Sequence, residues 1–512
     1  MPRMCRRHNT LMLLICLALA GCGPAPAVPV PTGAPVPVPP TAASAPTRAP
    51  AAAPTSSPTR PPAPSALPEQ PAPPAAAAPA GYVVYQRADG SLWRADGAGE
   101  QPIELAEPSE PEAVLPWAAS PDGKTIAVVT GAGLWYRFHG NPTLALWLVG
   151  ADGSSPRKVQ DLLPPRGVDL TPGGDDAFNL VPALTGEQKL AWSPDGQLVA
   201  FVSAHEGQVD LYAAGLDGAL RRLTDTPALE QGPVWSPDGV LLAYRTASGF
   251  GTGAGWGDVA VAITPCTGSA SDYVVDNARL SAARAVALVP DLLWIDANTL
   301  IAGLWDQVAG NDEVRALTVG DRGEARVFDA PYSALAWNAA TRQLAIAGTS
   351  ARLAQSPLDG RALAPGLFAW NPGAGEPARI ERDPAEALAW TPQGDALAFS
   401  AAGERPGLRL WSIGADGDLR ELGGQPAQQL RWSADGRQLA AGGAIYGRDG
   451  KRLAALAGQQ VYLLGWGPHG LFYFTLAGGS DHDLWLWDGA QARRIDSGIR
   501  QIANAGVVLA GQ

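Results

Sequence analysis

A chain of 512 residues is too long for one compact core of ordinary size, which leaves several segments or a ring of repeated units. Hydrophobic residues at 46% make it globular, while 60 glycines and 48 prolines require many turns, long linkers or both. A net charge of −12 argues against nucleic acid as a partner, because phosphates need a basic surface, and four cysteines exclude a dense disulfide scaffold.

Residues 1–21 read as an export signal. Arg3, Arg6 and Arg7 precede a ten-residue apolar run, Leu11 to Ala20, which is shorter than the roughly 20 residues a membrane span needs. The run ends in Leu19-Ala20-Gly21-Cys22, which resembles the lipobox of bacterial lipoproteins. The resemblance implies that Cys22 is acylated and becomes the new N-terminus, so the protein is held at a membrane without a spanning helix. Processing there leaves a net charge of −15 and Cys266 as the one cysteine without lipid, expected to be buried and inert.

Residues 22–80 are the lipidated cysteine and a stalk. From Gly23 to Ala80 the chain is almost only Pro, Ala, Val, Ser and Thr, with 20 prolines and three charges, Arg48, Arg60 and Glu69. Such a composition cannot bury a core, and proline favours an extended conformation reaching at most roughly 180 Å. The expectation is a disordered, semi-rigid tether.

Residues 81–512 repeat. A tryptophan, a polar turn and an apolar strand recur as Trp117-AASPDGKTIAVV, Trp192-SPDGQLVAFV, Trp235-SPDGVLLAYR, Trp390-TPQGDALAFS and Trp432-SADGRQLAAG, with weaker copies at Trp294, Trp337 and Trp466. Their spacings are 75, 43, 59, 43, 53, 42 and 34 residues, and three of them match one four-stranded propeller blade. Between anchors comes a strand, an Asp-Gly turn and a strand, as in Leu211-YAAGLDGALRRL and Leu410-WSIGADGDLREL. Each unit is therefore strand A ending in tryptophan, a turn, strand B, a loop, strand C, an Asp-Gly turn and strand D. The fold predicted is all-β, a single propeller of eight blades, with seven to nine compatible. The eight tryptophans are expected to fill the wedges between neighbouring sheets, and the Asp-Gly aspartates to form turns.

W-S-P-D-G followed by an L-A-F/Y strand resembles the WD40-like repeat of the TolB C-terminal domain, and the propellers of prolyl-oligopeptidase relatives are similar. The likeness covers Gly81 to about Gly511 and implies a fold more than an activity. TolB carries an α/β domain before its propeller and is free in the periplasm, so its partners do not transfer to a chain with a tether. At the ends, Tyr82-VVYQ, Ser91-LWRAD and Pro102-IEL match strands B, C and D without a strand A. Ile499-RQIANAGVVLA supplies the missing inner strand and closes the ring.

Strands of a meander alternate in direction, so A–B and C–D turns share one face and B–C and D–A loops the other. The first set is short throughout. Every long insertion falls in the second: 130–143, 160–188, 246–257 and 275–291. They hold Trp135, Tyr136, Phe138, His139, Phe178, Phe250 and Trp256 with the acids Asp169, Asp175 and Asp176, a set suited to stacking on sugar rings or anchoring a protein. Removing the 160–188 loop is expected to abolish capture and leave thermal unfolding nearly unchanged.

Catalytic signatures fail on inspection. Ala118-ASPDGKT has alanine where a phosphate loop needs glycine, and it is a hairpin turn; His205-Glu206 lacks a second histidine; Ser480-DHD sits just before strand C; no G-x-S-x-G occurs. No cofactor or metal is expected. The leading reading is a non-enzymatic lipoprotein of the cell envelope, facing outside the cytoplasm, that binds an envelope protein or a glycan. The alternatives are a propeller enzyme with a central-funnel site (lactonase, glycan-acting or quinone-dependent dehydrogenase) and a structural envelope component.

Overall fold

The computed structural model describes residues 81–97, 103–106, 116–134, 142–170, 176–185, 189–247, 249–251, 255–257, 260–266, 273–274, 292–306, 311–319, 323–329, 332–348, 365–413 and 418–509. All of them lie in one compact unit, Ala72–Gln512. The expected signal, the acylated Cys22 and the proline-rich tether lie outside the described residues.

Strands B and C of each unit read as near-continuous apolar runs because a neighbouring sheet covers each of their faces. Leu198–Ser203 (LVAFVS) and Asp210–Gly215 (DLYAAG) are buried along almost their whole length. Strand D at the rim is polar and exposed, as in Leu220–Arg222 and Leu419–Gly423. Strands A of successive units pack against one another, so they form the innermost ring of a β-propeller.

Among the described residues the sheets form nine four-stranded blades, one more than the preferred count of eight and at the top of the expected range. The 34-residue spacing after Trp432 suffices for a full blade because its strands B to D have only four residues each, Gln438–Ala441, Ala444–Gly447 and Arg452–Ala455. Gly442 and Gly443, both at positive φ, reverse the chain between the first two. After Trp294 the blade is also complete, with eight-residue strands Thr299–Asp306 and Asn311–Thr318.

Ring closure follows the sequence reading. The 17-residue strand Ala492–Val508 pairs at its start with Asp481–Trp487, as the outer strand of blade 9. Its end pairs with Tyr82–Arg87, as the inner strand of blade 1, with Tyr82 opposite Val508 and Arg87 opposite Ile499. The first and last strands of the ring thereby cover each other's open edges.

The SPDG turns share one hydrogen-bond pattern. Ser193 Oγ donates to Asp195 Oδ1 (2.6 Å), the Gln197 amide to the same oxygen (3.0 Å) and the Leu198 amide to Ser193 Oγ (3.0 Å). The pattern recurs at Ser120/Asp122, Ser236/Asp238 and Ser433/Asp435. The aspartates are thus turn formers, as expected.

The anchor tryptophans fill wedges between blades and also fasten them. The indole Nε1 of Trp192, Trp235, Trp294, Trp390, Trp432 and Trp466 donates to a carbonyl of the preceding inner strand: Ala118, Ala191, Val234, Ala336, Ala389 and Arg431 respectively, at 2.8–3.0 Å. Trp337 packs in the core shared by blades 5 and 6. Trp117 is the exception and a correction. Register places Ala119 opposite Ile126 as Trp192 stands opposite Val199, so Ala119 holds the anchor position of blade 2. Trp117 lies two residues upstream, against Gly506 of the closing strand.

Candidate functional site

The described insertions are built structure on the face predicted to carry them. In blade 2 strands B and C extend to eight residues each, Thr125–Ala132 and Thr143–Gly150. The connection between blades 2 and 3 folds into a helical segment, Asp176–Leu180 continuing as Val181–Thr185. In blade 4 the B–C connection forms a hairpin, Gly249–Gly251 with Gly255–Gly257, in which Phe250 stands directly opposite Trp256. The first hairpin strand lies against the first turn of the helical segment, so insertions from two separate places in the ring meet.

The helical segment is anchored rather than appended. Leu180, Ala183 and Leu184 are buried in the same core as Phe201, Tyr212 and Trp235 of blades 3 and 4. This overturns the expectation that the 160–188 loop can be removed without affecting unfolding, because its excision would strip apolar cover from that core. Asp176 is likewise turned inward. Its carboxylate takes a bidentate pair from Arg166 (2.7 and 2.6 Å) and the Asp169 amide (2.8 Å), and the Arg166 hydrogen bonds lower its pKa. Asp176 therefore clamps the loop, while the Asp169 side chain is exposed. Phe178 belongs to the helical segment. Trp135, Tyr136, Phe138, His139 and Asp175 lie outside the described residues.

Beneath this face is a polar network that sequence reasoning missed. Asp210 opens strand C of blade 3 and Glu230 lies in the inner strand of blade 4, Leu229–Trp235, both at 0% exposure. Asp210 accepts from Arg222 Nη2 (2.5 Å) and the Thr226 amide (3.3 Å), and Arg222 also pairs with Glu206 and Asp225. Glu230 Oε1 accepts from Thr226 Oγ1 (2.6 Å), whereas Oε2 has no hydrogen-bond partner among the described residues. Burial first, and then the nearby Asp210 charge, push the Glu230 carboxyl up to about 8. Burial raises Asp210 as well, against Arg222. The junction of blades 6 and 7 shows the compensated counterpart: buried Arg409 pairs with Glu381 (2.9 Å) and Asp383 (2.7 Å).

Along the inner strands the charged residues among the described ones are Glu230, Glu386, Arg431 and Arg500, on blades 4, 7, 8 and 1. No group of three or more metal-ligating side chains occurs among the described residues. A cavity of about 480 Å³ opens at the turn end of blade 3, beside the exposed Leu216 and Leu220, on the face opposite the insertions. Cys266 is half-buried, with its thiol pKa raised by burial.

No family profile and no curated protein matches the chain. Solved structures do. A eukaryotic initiation factor structure aligns over 84% of this chain and 99% of its own length, at 10% identity and a TM-score of 0.53. The C-terminal WD40 domain of Sif2 aligns over 75% and 95% (14% identity, TM-score 0.39). A TolB structure from Agrobacterium tumefaciens aligns over 49% and 80% (18% identity, TM-score 0.29). The first of these carries the fold, and at such identity the fold alone.

Proposed function

We propose that this protein is a lipid-anchored β-propeller of the cell envelope, facing outside the cytoplasm, that binds or scaffolds a protein or glycan through its insertion-bearing face. The observation that carries the reading is the meeting of the blade 4 hairpin with the helical segment before blade 3, the latter rooted in the core by Leu180 and Leu184. A surface assembled from two distant insertions and held from below is suited to recognition, and the residues on these segments include Phe250, Trp256, Phe178 and Asp169. The N-terminal expectation adds the address: Cys22 closes the lipobox-like Leu19-Ala20-Gly21-Cys22.

Crosslinking of the full chain in intact envelopes tests both parts. Crosslinked partner peptides or glycans should map to 163–188 and 249–257, and Phe250→Ser with Trp256→Ser should reduce their yield at least tenfold without moving the melting temperature. Crosslinks spread evenly over the turn face would refute the binding face. Failure of Cys22→Ser to abolish palmitate incorporation would refute the anchor.

A further inference from the structure

Six anchor tryptophans donate to the carbonyl of the residue one position before the preceding anchor position. That equivalent position holds Ala118, Ala191, Val234, Ala336 and Ala389, and then Arg431. Five blades thus present a small apolar side chain there and one presents a guanidinium. The position lies just before the A–B turn, so Arg431 stands at the turn-face end of the inner ring.

Its side chain is pinned. Nε donates to the Leu464 carbonyl of blade 9 (3.0 Å) and Nη1 to the Leu430 carbonyl (3.0 Å). Among the described residues Nη2 has no hydrogen-bond partner and no carboxylate lies within ion-pair distance. Arg431 is exposed, and like Arg157 and Arg221 it meets backbone carbonyls, whereas Arg87, Arg222, Arg409 and Arg448 each meet a carboxylate. Glu386, on the neighbouring inner strand, sits three positions further from the turns, roughly 10 Å along the strand. The residue keeps solvent access, yet protein surrounds enough of the guanidinium to lower its pKa by desolvation. A partly dehydrated cation with no counter-charge is costly alone and gains most from an arriving anion.

We propose that the turn-face end of the axial ring is an oxyanion site, in which Arg431 receives a carboxylate or phosphate group of a ligand. The flanking blades carry only Ala389 and Gly465 at the equivalent position. The site is independent of the insertion-face reading, since it lies at the opposite end of the inner strands.

The test uses the full chain labelled with 5-fluorotryptophan, because the Trp466 indole donates to the Arg431 carbonyl and reports on it. Trp466→Phe assigns the resonance. Phosphate and acetate are titrated separately at constant ionic strength, with chloride as control. A saturable shift of the Trp466 signal, with Trp192 unmoved, is expected, and the anion that saturates at lower concentration identifies the preferred ligand group. Arg431→Gln should weaken the response at least tenfold. Linear drift with all three salts, or an unchanged response in the variant, would show that Arg431 only straps blades 8 and 9. If that variant unfolds, the Arg431 Nε–Hε resonance of the unsubstituted chain decides: saturable movement supports the site, and none overturns it.

Discussion

Glu230→Gln should make stability less dependent on pH. The glutamate is fully buried beside the equally buried Asp210, and its carboxyl is raised to about 8 from 4.5. Below pH 4.5 the folded and unfolded chains both hold the proton, so the site contributes no penalty. Between 4.5 and 8 the unfolded chain releases it while the folded chain keeps it. Stability therefore falls as pH rises, by about 1.4 kcal/mol per pH unit, and levels off above 8. Integrated from pH 5 to pH 8, the loss is at most about 4 kcal/mol. Glutamine has nearly the same shape and no proton to lose, and every other titrating group is common to both proteins. Urea unfolding at pH 5, 6.5 and 8 measures the difference directly. The variant should gain on the parent progressively toward pH 8. Parallel stability profiles would refute the claim that Glu230 folds with a proton.

Two further substitutions probe the packing. Trp390→Phe keeps a large apolar ring but deletes the indole bond to the Ala336 carbonyl, so a loss of about 1 kcal/mol is expected in denaturant unfolding. A similar loss should follow at Trp235 and Trp432, whose bonds have the same geometry, and no loss at any of the three would remove the fastening role. Leu184→Ala, in the helical segment, should cost about 2–4 kcal/mol by opening a cavity in the blade 3 core. Stability within a few tenths of the parent would restore the loop to a mere appendage.

The repeated turn made the blade legible because its chemistry is local: serine, aspartate and glycine at fixed offsets close the same hydrogen bonds wherever they occur. Ring closure was legible because blade 1 lacked a strand A and 499–508 had no other place. Trp117 is not the anchor although it carries the aromatic ring: counting back from Ser120, whose bonds match those of Ser193, selects Ala119. The buried acid pair was missed because a carboxylate at a strand end is usually solvated, and burial depends on which blade packs against it. A signal was present in Glu230, an acid in an inner strand, preceded by Arg221, Arg222, Thr224, Asp225 and Thr226.

Strand direction gives the two ends of the ring different tasks. Tyr82 begins strand B of blade 1, its hydroxyl bonds to the Gly123 carbonyl in a blade 2 turn, and Gly81 sits against Pro468 of the blade 9 turn. The chain therefore enters the propeller on the turn face, and the insertions rise from the opposite one. Glu230, five positions before its anchor Trp235, marks the insertion end of the inner ring, and Arg431, one position before Trp432, marks the entry end. The unpaired cation is thus on the side of the incoming chain, and the proton-holding carboxyl lies under the built surface. A pH change that ionises Glu230 would act first on blades 3 and 4, whose core also seats the helical segment, and would leave Arg431 and its neighbours in blades 8 and 9 untouched.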